Sequence, residues 1–148
     1  MAFQLSFDVH YQYDSLAKGI NLDVVLGRGK MEAGCRAKID TGSQYCLFDR
    51  ELGENLEIEI ESGLRSELYT LTGSMTAFGH EVTLQTLGLT FQTFVYFPLH
   101  NNLQRNLLGR QGWLQLVKLA IVDYDNEIYL SPYNKSFSLE INMPLSFI

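Results

Sequence analysis

At 148 residues with 46% apolar side chains, the chain is long enough for one domain with a buried core and too short for two catalytic lobes. Its formal net charge of -6 at pH 7 argues against a nucleic-acid partner, because phosphate contacts need a basic surface and no Lys/Arg cluster occurs along the sequence. No apolar run approaches membrane-spanning length, and the N-terminus lacks the pattern of a secretory signal, so we expect a cytoplasmic protein with no membrane partner.

Both ends of the chain alternate apolar and polar residues with the period of two that is typical of half-covered β-strands. Residues 3–13 place Phe, Leu, Val and Tyr on one side, and residues 137–147 repeat the pattern with Phe, Leu, Ile and Met. Pro144 cannot donate a hydrogen bond to a neighbouring strand. The C-terminal strand is therefore predicted at a sheet edge or with a bulge.

A β-hairpin is predicted next, from residues 20–26 and 31–39 with the turn Gly27-Arg28-Gly29-Lys30. The turn lacks the glycine spacing and the following Ser or Thr of a phosphate-binding loop, so we interpret it as a plain turn. Glycine-punctuated strands are predicted at residues 68–71, 78–84 and 87–97.

The C-terminal half adds one short helix and one more hairpin. Residues 110–117, directly after Leu107-Leu108-Gly109, are the one stretch with helical character. Residues 118–124 and 127–131 predict the hairpin. No linker or internal repeat interrupts the pattern, so the sequence predicts a single all-β domain over residues 1–148.

Metal and cofactor sites are not indicated. Acidic clusters at residues 57–61 and 123–127 lack the rest of a metal-binding or calcium-loop pattern, and we prefer a solvated strand face and a turn. Cys35 and Cys46 have no ligand spacing and predict two buried free thiols rather than a disulfide framework. We therefore expect no metal and no other cofactor.

The tetrapeptide Asp40-Thr41-Gly42-Ser43 follows a predicted strand and is similar to the active-site signature of aspartic peptidases. Leu107-Leu108-Gly109-Arg110, before the short helix, resembles the second characteristic motif of the single-domain retropepsin-like branch of that family. The resemblance covers roughly residues 20–131, with the motifs in the same order at fitting separations. It implies a retropepsin-like closed β-barrel or sandwich with one short helix after Gly109.

The resemblance also implies an aspartic endopeptidase that cleaves peptide or protein substrates. This chemistry uses two carboxylates that share one proton, of which one activates water and the other protonates the scissile carbonyl. One chain offers a single such carboxylate, so the resemblance implies a homodimer in which Asp40 meets its symmetry mate.

Site roles follow from the same resemblance. Thr41 would hydrogen-bond across the two-fold axis, and Gly42 would let backbone and substrate approach closely. Ser43 and Gln44 are further substrate-site residues, and we hypothesise that the Ser43 hydroxyl donates to the carboxylate, stabilises the ionised form and favours activity in acid. Leu108 and Gly109 would support the catalytic loop.

Residues 69–80 resemble the flap, a hairpin that folds over bound substrate. Gly73 would give the tip its flexibility, and Ser74 and Met75 would contact substrate. An ordinary surface hairpin is the alternative interpretation. His80 is interpreted as a strand residue without a catalytic role.

One position departs from the family pattern. Gln44 stands where an acid usually pairs with the Arg of the second motif, so Arg110 lacks its expected ion-pair partner. A neutral hydrogen bond from Gln44 would substitute for that ion pair.

Two alternatives stay open beside the peptidase. One is a binding or regulatory module with the same fold and no cleavage, and the other is a small β-barrel interaction domain in which the signature is accidental. The terminal strands, residues 3–13 and 137–147, would form a dimer interface in the peptidase, although pairing within one subunit is also open.

Overall fold

Nine β-strands and one α-helix make up most of the described part of the chain, which comprises residues 1–101 and 105–133 of a computed structural model. The strands are β1 (Val9–Gln12), β2 (Asn21–Arg28), β3 (Met31–Ile39), β4 (Leu64–Thr70), β5 (Gly73–Thr86), β6 (Leu89–Pro98), β7 (Leu107–Leu108), β8 (Val117–Val122) and β9 (Glu127–Pro132). Helix α1 spans Arg50–Asn55, and short 3-10 helices span Ile60–Ser62, Leu114–Leu116 and Asp123–Asp125. The predicted all-β class is confirmed.

The strands of this part of the chain form two sheets. The larger has the order β4-β5-β2-β3-β7, with β6 on the other edge of β5, and the smaller has the order β1-β9-β8. Strands β3 and β7 pair in parallel, whereas the other strand pairs are antiparallel. The parallel pair matters for the site, because it joins the end of the strand before Asp40 to Leu107 and Leu108.

The predicted hairpin around Gly29 is present, with β2 and β3 paired from Asn21↔Lys38 to Arg28↔Met31. Its turn is Gly29-Lys30, two residues rather than the predicted four, and the φ of 59° at Gly29 suits the first position of a type II′ turn. The hairpin of β5 and β6 turns at Leu87-Gly88, where both residues have positive φ. The strand predicted to begin at residue 87 therefore begins two residues later.

One apolar core joins the two sheets. Side chains of β2 alternate between buried and more exposed positions, as expected for a strand with one covered face. Trp113, Phe48 and Phe97 are among the largest fully buried side chains. Ile128 and Leu130 of β9 belong to the same cluster, so the smaller sheet packs on the larger one through this core.

Two details of the predicted fold are wrong. The sheets do not close into a barrel within residues 1–101 and 105–133, and helix α1 precedes the Leu107-Leu108-Gly109 segment instead of following it. Within residues 110–117, where the helix was predicted, only the 3-10 helix Leu114–Leu116 forms, since Gly112 has a φ of 105°, which no right-handed helix accommodates.

The acidic clusters face solvent. Residues 57–61 are not a strand as predicted, yet Ile58 and Ile60 are buried while the three glutamates are exposed. The second cluster forms a turn, as predicted, with Asn126 in the left-handed conformation at φ 58°. No group of three or more potential metal ligands occurs in the described ranges.

The N-terminal strand is shorter than predicted. Only Val9–Gln12 is a strand, and it pairs with β9 of the same chain, with Val9 opposite Leu130. Phe3 and Leu5 are 87% and 69% exposed, because no strand covers them within the described part of the chain. Residues 137–147 lie outside the described residues, so the dimer interface remains a prediction. No helix among the described residues is both long and apolar enough to cross a membrane.

Candidate active site

The end of β3 positions Asp40. Ile39 is paired with Leu108 in the parallel β3–β7 pair, and the Asp40 N–H donates to the Leu108 carbonyl at 3.0 Å. The chain then turns, with the Ser43 N–H donating to the Asp40 carbonyl at 3.2 Å. A strand end fixed on one side by β7 therefore leads directly into a tight loop that carries the acid.

The Asp40 carboxylate is half-buried and is held at one oxygen. The Gly42 N–H donates to Asp40 Oδ1 at 3.0 Å. A Cβ at position 42 would stand 3.3 Å from that oxygen, which is tighter than most contacts of this kind. Among the described residues, Oδ2 accepts no hydrogen bond, so it is the oxygen available to a water or a second carboxylate.

Ser43 uses its hydroxyl differently from our hypothesis. The Ser43 hydroxyl donates to the Tyr45 carbonyl at 2.7 Å. Because a hydroxyl carries one proton, it cannot donate to Asp40 at the same time. The hydroxyl therefore stabilises the loop beyond the acid rather than the carboxylate, while the neighbouring Thr41 and Gln44 are exposed.

Residues 43–47, which we call the crossing segment, lie against the second motif. The Arg110 N–H donates to the Ser43 carbonyl at 2.9 Å and the Gln111 N–H donates to the Gln44 carbonyl at 2.8 Å. Further along, Leu47 and Leu107 exchange backbone hydrogen bonds of 3.1 and 2.7 Å. The two motifs are thus brought together by backbone contacts.

Gly109 lies where this contact is tightest. A Cβ at position 109 would stand 2.1 Å from the Tyr45 carbonyl oxygen and 2.9 Å from the Ser43 carbonyl oxygen. Leu108 beside it is fully buried. Gly109 is required by this close approach of two backbones, which is a geometric reason for a supporting role.

Cys46 also holds Gly109, a contact that the sequence did not predict. The Gly109 N–H donates to Cys46 Sγ at 3.3 Å. Burial raises the pKa of the Cys46 thiol to about 12, despite a hydrogen bond with Gly109 that lowers it. The group is therefore a neutral, structural thiol.

Arg110 carries an exposed guanidinium that makes no ion pair with any described residue. The suggested side-chain hydrogen bond from Gln44 is also absent from the described contacts. Gln44 instead accepts a hydrogen bond at its backbone carbonyl, from the Gln111 N–H. Arg110 therefore lacks the ion-pair partner of the family pattern among the described residues, as the Gln44 position had indicated.

Strands β4 and β5 form an exposed hairpin at the position of the predicted flap. Thr70 and Gly73 are paired, so the tip is Leu71-Thr72, and Leu71 is fully exposed. The Thr70 hydroxyl donates to the Gly73 carbonyl at 3.0 Å. Gly73, whose φ is 143°, is the first residue of β5 and lies beside the tip.

A groove of about 450 Å³ lies between this hairpin and the loop that follows Asp40. It brings together four of the predicted site residues, which are Gly42, Ser43, Gln44 and Met75, whereas Asp40, Thr41, Gly73 and Ser74 do not line it. The remaining lining residues are Tyr45, Leu47, Glu67, Leu68, Tyr69, Thr70 and Leu107. Leu107 belongs to the second motif, and Tyr69 and Thr70 belong to the predicted flap. The other four were missed, because alternation along a strand identifies a face but not the surface opposite it.

His80 lies in β5, as predicted for a strand residue, and is 6% exposed. Its Nε2 is 2.8 Å from the Ile60 carbonyl, and its Nδ1 is 3.4 Å from a guanidinium nitrogen of Arg28. It does not line the groove.

Solved structures of other proteins resemble this fold, whereas curated protein sequences do not match the chain. No protein-family model and no curated protein sequence matches this chain. Among solved structures, an EIAV protease complexed with the inhibitor HBY-793 matches with a TM-score of 0.51 at 17% identity, covering 64% of this chain and 85% of that one. A retropepsin-like aspartic protease from Rickettsia conorii matches with a TM-score of 0.55 at 16% identity, covering 75% and 89%.

Both structures share their fold with this chain at low sequence identity. The chain therefore has the retropepsin-like, all-β fold of aspartic proteases, as the two motifs indicated. Fold alone does not establish activity, which has to be argued from the site.

Proposed function

We propose that this protein is an aspartic endopeptidase whose active site is completed by a second copy of the chain. The single observation that carries the proposal is the placement of Asp40. Its half-buried carboxylate stands at a strand end, anchored at Oδ1 by the Gly42 N–H, in a loop whose next residues line a groove beneath an exposed hairpin.

The chemistry requires the second copy. Two carboxylates at close range cannot both ionise readily, so they share a proton. The ionised member takes a proton from water as that water attacks the scissile carbonyl, and the protonated member donates to the carbonyl oxygen. Asp40 Oδ2, which accepts no hydrogen bond from the described residues, is the atom that would face the symmetry mate.

The groove suits a peptide with apolar side chains. Its lining includes Leu47, Leu68, Met75 and Leu107, which would bury such side chains, while backbone groups of the catalytic loop are within reach of the peptide backbone. The exposed Leu71 at the tip of the hairpin would close over the peptide and exclude water.

Exposed apolar side chains support assembly. Phe3 and Leu5 at one end of the chain, and Tyr69 and Leu71 on the hairpin, are all more than two-thirds exposed. Apolar surface of this kind is more stable when a second subunit covers it. We propose that the N-terminal segment, together with residues 137–147, forms the two-fold interface.

A non-catalytic binding module is the second candidate. The specific observation in its favour is Arg110, whose guanidinium has no ion-pair partner among the residues described and whose expected partner is replaced by Gln44. Such a module would bind peptide in the groove without cleaving it.

The decisive measurement is cleavage of a denatured protein mixture between mildly acidic and neutral pH. Asp40→Asn keeps the shape of the side chain but removes its charge, and we expect it to lower the cleavage rate by about 10²–10⁴-fold while the dimer persists. Asp125→Asn, at an exposed turn, is the matched control and should cleave like the wild type. Activity that survives in Asp40→Asn would overturn the proposal.

Assembly is tested separately by dilution. If two chains form one site, activity per chain rises with protein concentration through the range in which sedimentation detects dimer formation. Constant activity per chain at concentrations where the protein sediments as a monomer would contradict the shared site.

A further inference from the structure

A second cavity, of about 310 Å³, lies beside the groove at the β3–β7 edge of the larger sheet. We call it the cationic pocket. Its lining residues are Asn21, Arg36, Lys38, Arg105, Asn106 and Leu107. Three of the six are cations in a chain whose net charge is -6, so the pocket is a local exception to an acidic protein.

The fold assembles this charge from distant parts of the sequence. Arg36 and Lys38 are two residues apart on the exposed face of β3. Lys38 is paired with Leu107 of β7, which brings Arg105 to the same edge. The Asn106 side chain donates to the Arg36 carbonyl at 3.1 Å, which links the segment before β7 to β3. Because strand pairing brings these cations together, they do not appear as a Lys/Arg cluster in the sequence.

Most of this positive charge is not neutralised. Arg36 pairs with Asp23 at 2.9 Å, but that pair is largely exposed. Lys38 and Arg105 form no ion pair with the described residues. The Lys38 stem packs over Gly19, where a Cβ would stand 2.9 Å from Lys38 Cδ.

The pocket adjoins the proposed catalytic site at two points. Leu107 lines both the cationic pocket and the groove. The backbone pairing continues one residue past β3, since the Lys38 N–H donates to the Asn106 carbonyl and the Asp40 N–H donates to the Leu108 carbonyl. In such an extended segment Lys38 and Asp40 fall on the same side, with the buried Ile39 on the other. Two residues of a strand span roughly 6.6 Å, which is about the spacing of alternate side chains in an extended peptide.

We propose that the cationic pocket binds the carboxylate of a Glu or Asp side chain in the peptide substrate, close to the scissile bond. This inference rests on the proposed function and adds a substrate class to it. Charge-assisted hydrogen bonds from Lys38 and Arg105 would hold the carboxylate, and the polar Asn21 and Asn106 suit an ionised group better than an apolar one. Adjacent apolar side chains of the same peptide would occupy the groove.

The test uses pairs of peptides that differ by Glu or Gln at one position, scanned across both sides of the scissile bond. At one position we expect kcat/KM to be about tenfold or more higher for Glu than for Gln at 0.15 M salt, where long-range repulsion by the acidic protein is screened. Lys38→Gln and Arg105→Gln should each reduce this Glu/Gln ratio towards one. Lys30→Gln, at the exposed β2–β3 turn, is the matched control and should keep the ratio.

The peptides separate loss of the carboxylate-binding pocket from loss of peptidase activity. Cleavage of the Gln peptides with no position that favours Glu would overturn the pocket and leave the peptidase intact. If no peptide is cleaved, binding of the same fluorescently labelled peptides is measured by anisotropy. Tighter binding of a Glu peptide that is lost in Lys38→Gln supports the pocket, and equal or undetectable binding overturns it.

Discussion

Gly109 and Tyr45 are in backbone contact: a Cβ at position 109 would stand 2.1 Å from the Tyr45 carbonyl oxygen. That oxygen belongs to the backbone of the crossing segment, so no flexible side chain can move aside. We therefore expect Gly109→Ala to lower the free energy of unfolding by roughly 3 kcal/mol. Because the displaced backbone positions Asp40, activity should fall with stability.

Gly34→Ala is the control for this change. Gly34 lies in β3, and its nearest potential Cβ contact is the Val24 carbonyl oxygen at 3.9 Å, an ordinary distance. Stability should stay within about 1 kcal/mol of wild type. Urea unfolding followed by the fluorescence of Trp113, the single tryptophan, measures both variants. Equal stabilities would show that the crossing segment yields more easily than its contacts indicate.

Ser43→Ala tests the role of the serine hydroxyl. Because that hydroxyl donates to the Tyr45 carbonyl, its removal should cost roughly 1 kcal/mol of stability. The pH at which cleavage is fastest should not move, since Asp40 loses no hydrogen bond. A pH–rate profile of wild type and variant compares the two roles, and an optimum shifted towards neutral pH in the variant would restore the sequence-based hypothesis.

Leu71→Ser tests the hairpin tip. The Leu71 side chain is fully exposed, so its replacement should change stability by less than about 0.5 kcal/mol. If the hairpin closes over substrate, kcat/KM should nevertheless fall by roughly tenfold. Leu64→Ser, at the base of the same hairpin and 62% exposed, should keep full activity. Identical kinetics for both variants would argue that the tip does not touch substrate.

The two thiols should resist alkylation in the folded protein. Burial raises the pKa of Cys35 to about 11, with a smaller contribution from Asp23, and it raises the pKa of Cys46 to about 12. At pH 8 only about one Cys35 thiol in a thousand is then ionised, and the thiolate is the reactive form. Iodoacetamide should label both cysteines in urea and neither in buffer, as measured by mass spectrometry.

The same shifts make a prediction about alkaline pH. The thiols ionise at lower pH in the unfolded chain, near their ordinary value of about 8.5, than in the folded chain. Their contribution to stability is therefore complete below that value and is lost as pH rises towards about 12. Stability that increases across this range would contradict the burial of Cys46 and the partial burial of Cys35, which is less covered than the sequence predicted.

Local pattern predicted much of the fold. A strand was predicted at residues 31–39, and β3 has those bounds. The two motifs indicated which family fold to expect. The turn at Leu87-Gly88 could not be read from pattern, because a leucine at φ 50° is rare and gives no sequence signal. Helix α1 was missed for a related reason: Gly53 disfavours a helix, and the helix is stabilised by packing on Ile60 and Phe97.

Predictions about the site were limited by what alternation can reveal. Residues 3–8 alternate like a strand. The alternation shows which side of a strand would be covered, but not whether a neighbouring strand exists to cover it. Within the described part of the chain no strand covers Phe3 and Leu5. Similarly, Lys38 and Arg105 become neighbours only through the pairing of β3 with β7. Long-range pairing of this kind is a property of the folded chain rather than of any short stretch.

The contact between Cys46 and Gly109 joins positions 63 residues apart in the sequence. A nascent chain emerging from the ribosome therefore carries its aspartate long before it carries the strand that fixes the aspartate in place. Closing so long a loop costs more entropy than forming local contacts and slows folding. In the peptidase that we propose, an unfinished chain should consequently be inactive, because its catalytic carboxylate is held in place only after Leu107 and Leu108 have been made.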